Sequence, residues 1–234
     1  MKQDPVIYDQ LSADYSARRY AGPINTYTKY IFTTRRFIFG TFLKRLLKNL
    51  TQPTLFEIGC ADGVLARFLR EQFPGQIGHF VGVDISPAMV KIASTAGITE
   101  TDFYLRDQIR DDTKYDVVLE IGVHTEDWES ELDYWKQHLK IGGYVIKSVV
   151  GRESFYTRLK LARENYVKDY LSYKDYENIF RRQFEIVEVK SYGLFIPKIW
   201  IWPKIAKPLQ VVLDKIFVWY PEFYHERIYL LKKL

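Results

Sequence analysis

The run Leu55-Phe56-Glu57-Ile58-Gly59-Cys60-Ala61-Asp62-Gly63 constrains this chain more than any other feature. An apolar stretch ends in an acid, small residues follow at alternate positions, and Val64–Gln72 then places Leu65, Phe68 and Leu69 at helical spacing. That is a strand, a tight turn and a helix. Small residues let a backbone pass close to a ligand, and the helix start behind them offers unpaired N–H groups at a positive dipole end. Asp84 ends a second apolar stretch, His79–Val83, 21 residues after Gly63. An acid in that place can accept hydrogen bonds from ribose hydroxyls. The dinucleotide fingerprint G-x-G-x-x-G is not met. The turn reads G-x-A-x-G with a carboxylate two residues ahead of it, which repels a pyrophosphate and suits a cationic ligand carrying an amino group.

The same alternation continues along the chain. A helical pattern over Thr28–Asn49 is broken at Thr51-Gln52-Pro53. Strands are expected at 54–58, 79–83, 102–105, 116–120 and 144–149, separated by helices that include one opened by Ser86-Pro87 and one over 128–139. Five strands in such alternation argue a parallel α/β sheet with buried strands. Beyond residue 150, helices are expected at 154–166 and 173–180 and strands at 184–191 and 226–231. Between those two strands lies an irregular aromatic excursion, 194–224, within which 208–220 can form an amphipathic helix with Leu209, Val212, Leu213, Ile216 and Phe217 on one face. The domain reading is an N-terminal helical cap (1–50), a nucleotide-fold core (51–193), a cap insertion (194–224) and a last core strand (225–234).

Four stretches in order resemble one family. Glu57-x-Gly59-x-Ala61-x-Gly63, Val83-Asp84, Tyr115-Asp-Val-Val-Leu-Glu120 and Leu139-Lys-Ile-Gly142-Gly143 together resemble the ordered motifs of class I S-adenosylmethionine (SAM)-dependent methyltransferases, with Ala61 in place of the middle glycine. The resemblance covers about residues 53–150. It implies a Rossmann-like α/β fold with a seven-stranded sheet ordered 3-2-1-4-5-7-6, the last strand antiparallel. It implies SAM as cofactor and S-adenosylhomocysteine (SAH) as product. By position, Glu57 would hold the methionine amino group, and Gly59, Cys60, Ala61 and Gly63 would line the methionine part. Asp84 would bind the ribose, Ile85 would pack on the adenine, and Asp107 with Gln108 would meet its edge. Glu120, Ile121 and Gly122 would wall the sulfonium side. Tyr15, Arg18 or Arg19 would close over the SAM carboxylate, a group that the Arg fork suits. His124 is the candidate base for an acceptor hydroxyl.

The formal net charge of +5 invites a nucleic-acid or membrane reading, but its distribution argues otherwise. Residues 1–50 hold nine Lys/Arg against three Asp/Glu, residues 51–150 nine against 16, and residues 151–234 16 against ten. An acidic cofactor core therefore lies between basic flanks. The D/N-P-P-Y/F signature of base-amino methylation is missing after Leu119, so nucleic acid is not the expected acceptor. The four His are scattered and Cys60 is the only cysteine, so no metal site and no disulfide framework are expected. The start of the chain has no apolar secretory segment, and a cytoplasmic setting is expected. The expected acceptor is an O or N atom of a small-molecule or lipid-linked metabolite. An RNA or protein methyltransferase and a silent SAM-binding regulator stand as alternatives. Trp200, Trp202 and Trp219 among Lys198, Lys204, Lys207 and Lys215 allow a peripheral contact with the inner membrane face through 194–224. The same segment also reads as a pocket lid or dimer surface, and the chain as a monomer or homodimer.

Overall fold

The computed structural model describes residues 5–110, 112–160, 170–196 and 198–234. Seven strands form one sheet: β1 Leu55–Ile58, β2 Phe80–Asp84, β3 Thr101–Leu105, β4 Tyr115–Glu120, β5 Leu139–Val150, β6 Phe184–Leu194 and β7 Tyr224–Lys233. Their order is β3-β2-β1-β4-β5-β7-β6. The first five pair in parallel, and β7 runs antiparallel to both β5 and β6. This is the Rossmann-like methyltransferase architecture that the motifs implied.

The helices are α1 Pro5–Leu11, α2 Tyr15–Tyr20, α3 Tyr27–Leu46, α4 Val64–Gln72, α5 Pro87–Thr95, α6 Trp128–His138, α7 Phe155–Arg158, α8 Tyr173–Phe180 and α9 Pro203–Ile216. Local chemistry sets their starts. Thr26, Ser86, Asp127, Ser154 and Ser172 each accept a backbone N–H of the first turn through the side chain. Of the helix expected over 154–166, Phe155–Arg158 forms α7, residues 159–160 leave it in a turn with Lys160 at φ +56°, and 161–166 lies outside the described residues.

Side-chain alternation sorts the sheet into two cores. Leu55, Val117, Leu119, Ile146, Ile228 and Leu230 face Phe39, Phe42 and Leu43 of α3 and Leu65, Phe68 and Leu69 of α4. Phe56, Ile58, Val118, Val145, Tyr229 and Leu231 face Leu132 and Trp135 of α6 and Tyr173, Tyr176 and Phe180 of α8. Every residue of β1 is buried, which is why its sequence is a continuous apolar run interrupted only by Glu57.

Two segments differ from expectation. The helical period within the expected N-terminal cap falls at Thr28–Asn49, yet α1 and α2 also form ahead of it and meet the loop after β2. There Asp9 Oδ1 accepts from Ser86 Oγ and from Ala88 N at 3.3 Å. In the excursion, α9 begins at Pro203, five residues before the expected start, because proline at the first helical position is prearranged for the turn. Its contacts are also reversed. Leu209, Val212 and Ile216 are exposed, and the anchors are polar: Gln210 Nε2 donates to Leu194 O at 2.7 Å, and Asp214 accepts from Gly193 N and Leu194 N at 3.0 Å each and from Tyr30 OH at 2.6 Å. Among the described residues no helix is long and apolar enough to cross a membrane.

Candidate cofactor site and adjoining cavity

The turn after β1 is built from left-handed backbone. Gly59 (φ +75°), Ala61 (φ +47°) and Gly63 (φ +75°) all take positive φ, and Gly59 N and Cys60 N donate to Val83 O at 2.8 and 2.9 Å. A side chain at Gly59 would meet Val123 Cγ2 at 2.3 Å. The turn is thereby tied to β2 and pressed against the loop that follows β4. Asp84 is fixed by Ala61 N to Oδ2 and Ser86 N to Oδ1, each at 2.9 Å. Each carboxylate oxygen keeps acceptor capacity for a further donor.

The electrostatics are unusual for an interior. Glu57 is buried, and its Oε2 has no partner among the described residues; neither has Oδ1 of Asp62. Burial pushes the Glu57 carboxyl well above its ordinary range, and the charges of Asp84 and Asp62 push it further. Burial also raises Asp84, against the lowering effect of its backbone donors. Arg19 lies 3.9 Å above the Tyr15 ring, and its buried Nε has no hydrogen-bond partner among the described residues. Unpaired carboxylate oxygens at the turn and an unpaired guanidinium nitrogen on α2 thus offer an acceptor and a donor that match the ammonium and carboxylate of an α-amino acid.

A narrow cavity of about 70 Å³ runs along this turn, lined by Gly59, Ala61, Asp84, Ile85, Ile121 and Gly122 among others. A second cavity of about 470 Å³ opens beside it, within the usual size range for a small-molecule site. Tyr8, Tyr15, Gly122, Val123 and His124 line both. The larger one is walled by aromatic rings: Tyr156 stacks on His225 at 4.0 Å, Tyr27 lies 5.7 Å from His225 and 6.2 Å from Tyr156, and His124 meets Tyr170 edge-on at 6.0 Å. Tyr27 OH donates to Gly193 O at 2.7 Å. The 3.1 Å contact between Tyr27 OH and His225 Nδ1 is then a donation from Nδ1–H, which leaves Nε2 as the acceptor nitrogen. Burial pushes His225 down to about 4. A buried ion pair, Arg35 to Glu226 at 2.9 Å, completes this wall, with Tyr192 OH donating to the same carboxylate.

The structure divides the residues proposed from sequence. Gly59, Ala61, Asp84, Ile85, Ile121, Gly122, His124, Tyr15 and Arg19 converge on the two cavities, and Glu57 is buried within reach of the Asp84 and Asp62 charges. Gly63 caps α4 and Cys60 is buried in the core behind the turn. Arg18 turns to solvent, 68% exposed, and pairs with Asp14. Asp107 and Gln108 are exposed, and it is Arg106 that reaches the narrow cavity, braced by Glu131 at 3.1 Å.

Glu120 is placed on the other side of the sheet. Ile58 pairs with Glu120 and Glu57 with Leu119, so strand parity sends the two carboxylates to opposite faces. Glu120 receives Trp135 Nε1 at 2.6 Å and pairs with Lys147, whose Nζ also donates to Val123 O at 3.1 Å and Thr125 Oγ1 at 3.2 Å. It holds the 121–125 loop in place from behind. Burial raises its carboxyl to about 7 against the lowering influence of Lys147.

Arg35, Tyr27, Tyr156 and His225 have no sequence signal of their own, since they meet only through tertiary packing. Among the described residues no group of three or more His, Cys, Asp or Glu is arranged to hold a metal ion.

A methyltransferase-domain family model matches residues 30–189. Among curated protein sequences none matches significantly. Solved structures similar over the whole chain include magnesium protoporphyrin IX methyltransferase (ChlM) of Synechocystis PCC 6803 with bound SAH, 18% identical, covering 98% of this chain and 99% of that one at a TM-score of 0.66. A SAM-dependent methyltransferase from Thiobacillus denitrificans in complex with SAH is 16% identical over 100% of both chains at 0.61. A methyltransferase in complex with the Haloferax volcanii Trm112 activator is 19% identical, covering 97% of this chain and 96% of that one at 0.62. With the matched model spanning most of the sheet and the turn after β1, the chain belongs to the methyltransferase-domain family and has the fold of class I SAM-dependent methyltransferases.

Proposed function

We propose that the chain transfers the methyl group of SAM to an O or N atom of a small-molecule or lipid-linked metabolite bound in the larger cavity. The observation that carries this reading is a set of polar groups without a partner among the described residues: Glu57 Oε2 and Asp62 Oδ1 at β1 and the turn after it, and Arg19 Nε on α2 beside Tyr15. Glu57 and Asp62 would hold the amino group, Arg19 the carboxylate, Asp84 the ribose, and Ile85 with Met89 the adenine. The cofactor supplies an activated methyl on a sulfonium. The protein's part is then mainly positioning and exclusion of water. Gly122, Val123 and His124 line both cavities, so the acceptor atom would meet the methyl there. His124, and His225 through Nε2, are the imidazoles available to take an acceptor proton.

The neighbours include a magnesium protoporphyrin IX methyltransferase, a plantazolicin methyltransferase and a methyltransferase in complex with Trm112, so likeness does not select the acceptor. The aromatic wall supports a small or lipid-linked one, at the cytoplasmic face of a membrane and with residues 194–224 toward it. The test is incubation of the protein with methyl-labelled SAM and separated lipid, small-molecule, RNA and protein fractions of a cell extract, alongside SAH calorimetry. Label in the lipid or small-molecule fraction is expected. Label confined to RNA or protein would replace the acceptor class, and SAH binding without any transfer would favour a regulator.

A further inference from the structure

Helix α9 is turned inside out. Ordinary surface helices bury an apolar stripe and expose a polar one. Here Ala206 and Gln210 are fully buried, and the Asp214 carboxylate is engaged inward by Gly193, Leu194 and Tyr30. The outward residues are Trp202, Ile205, Leu209, Val212, Ile216 and Trp219, spaced alternately by three and four, so they form one stripe along the helix and the turns at its ends. Trp202 is 64% exposed, Ile205 61%, Ile216 60% and Trp219 85%.

The flank of this stripe is cationic. Lys198, Lys204, Lys207 and Lys215 are exposed, and Asp214 is the only acid between residues 198 and 220. At 100° per residue Lys204 and Lys215 fall beside the stripe, on the flank away from Ala206 and Gln210, and Lys207 lies further round, next to Asp214. Tryptophan stands at both ends, where an indole matches the headgroup level of a bilayer.

We propose that this face docks on an anionic lipid surface, the apolar stripe entering the headgroup–acyl boundary and the lysines lying over lipid phosphates. The charge argues the occupant: an uncharged apolar partner would leave four lysines unmatched, and a second copy of this face would bring like charges together. Trp200 connects the surface to the proposed acceptor site. Its ring packs on Tyr30 at 5.6 Å and Tyr27 at 6.4 Å, and Tyr27 lines the larger cavity. Docking would thus set that cavity one aromatic layer from the bilayer; this last link rests on the methyl-transfer reading, whereas the docking itself does not.

The experiment is flotation of the full chain with vesicles of phosphatidylcholine alone and of phosphatidylcholine with phosphatidylglycerol. The full chain floats with the anionic vesicles, and the double variant Ile205→Ser/Ile216→Ser stays unbound while keeping its circular dichroism spectrum. Each of Lys204→Gln and Lys215→Gln lowers the partition coefficient about fivefold, from about 1 kcal/mol per basic residue at such a surface, and Lys207→Gln, further from the stripe, lowers it less. Absence of flotation by the wild type overturns the proposal. So does wild-type self-association, abolished by the double variant, without flotation, which would make a second copy the occupant. Flotation needs no acceptor, so docking without methyl transfer would count against the enzymatic reading alone.

Discussion

Replacing Gly59 by alanine tests the geometry at the centre of the site. Its φ of +75° lies in the left-handed region, which costs an L-residue about 1–2 kcal/mol. The added Cβ would also meet Val123 Cγ2 at 2.3 Å, well inside contact distance. Overpacking of this kind costs about 1–3 kcal/mol. Gly75 separates the two effects, since it has φ +68° and nothing within 4 Å of its Cβ position. Gly75→Ala should therefore lose the backbone part alone. Gly59→Ala should lose about 1–3 kcal/mol more, a further fall in melting temperature of about 2–12 °C for a chain this size. Thermal unfolding of both variants measures the difference. Adding Val123→Ala to Gly59→Ala should recover most of the excess as a positive coupling in the double-mutant cycle. Because Val123 also lines both cavities, Gly59→Ala should weaken SAH binding, and Gly75→Ala should not. Equal destabilisation by the two alanines, within about 0.5 kcal/mol, would refute the claim that the turn and the loop after β4 are in contact.

Glu57→Gln should weaken SAH binding about 10–100-fold, the equivalent of about 1.5–3 kcal/mol for a charged hydrogen bond, while stabilising the ligand-free protein. Folded Glu57 holds its proton above the pH at which the unfolded carboxyl loses it, so ligand-free stability falls as pH rises past the ordinary value near 4.5, and the variant should flatten that decline in melts taken across the range. Arg19→Ala should raise the SAH dissociation constant in calorimetry, whereas Arg18→Ala, at an exposed residue paired with Asp14, should leave it unchanged. Lys147→Met strands a buried Glu120 carboxylate and should cost about 3–5 kcal/mol in denaturant unfolding, with much of it restored by adding Glu120→Gln. His225, held near 4 by burial, binds its proton more weakly folded than unfolded, so stability should drop as pH falls from about 6.5 toward 4; His225→Gln should remove part of that loss.

The cofactor half of the protein is legible in the chain because its signals are local. Glu57 and the small residues of the turn are neighbours in sequence, Asp84 ends the adjacent strand, and strand–helix periodicity implies the parallel sheet. Such features need no knowledge of what packs where. Even there, local reading has limits. Glu120 is as conspicuous as Glu57, but the registration of Ile58 with Glu120 sends it to the opposite face. Arg18 and Arg19 are adjacent and alike, and only the rotation of α2 decides that one lies over Tyr15 while the other meets Asp14. Arg106 rather than Asp107 enters the narrow cavity for the same kind of reason.

The acceptor half is a tertiary product. Arg35 meets Glu226 across 191 residues and Tyr27 meets His225 across 198, and no spacing within either segment announces the encounter. The amphipathic period of α9 is written in the sequence, but periodicity states only that a helix has two faces. Which face turns inward was decided by the carbonyl and amide groups at Gly193 and Leu194, because buried backbone groups must be paired and Gln210 and Asp214 were the side chains able to pair them.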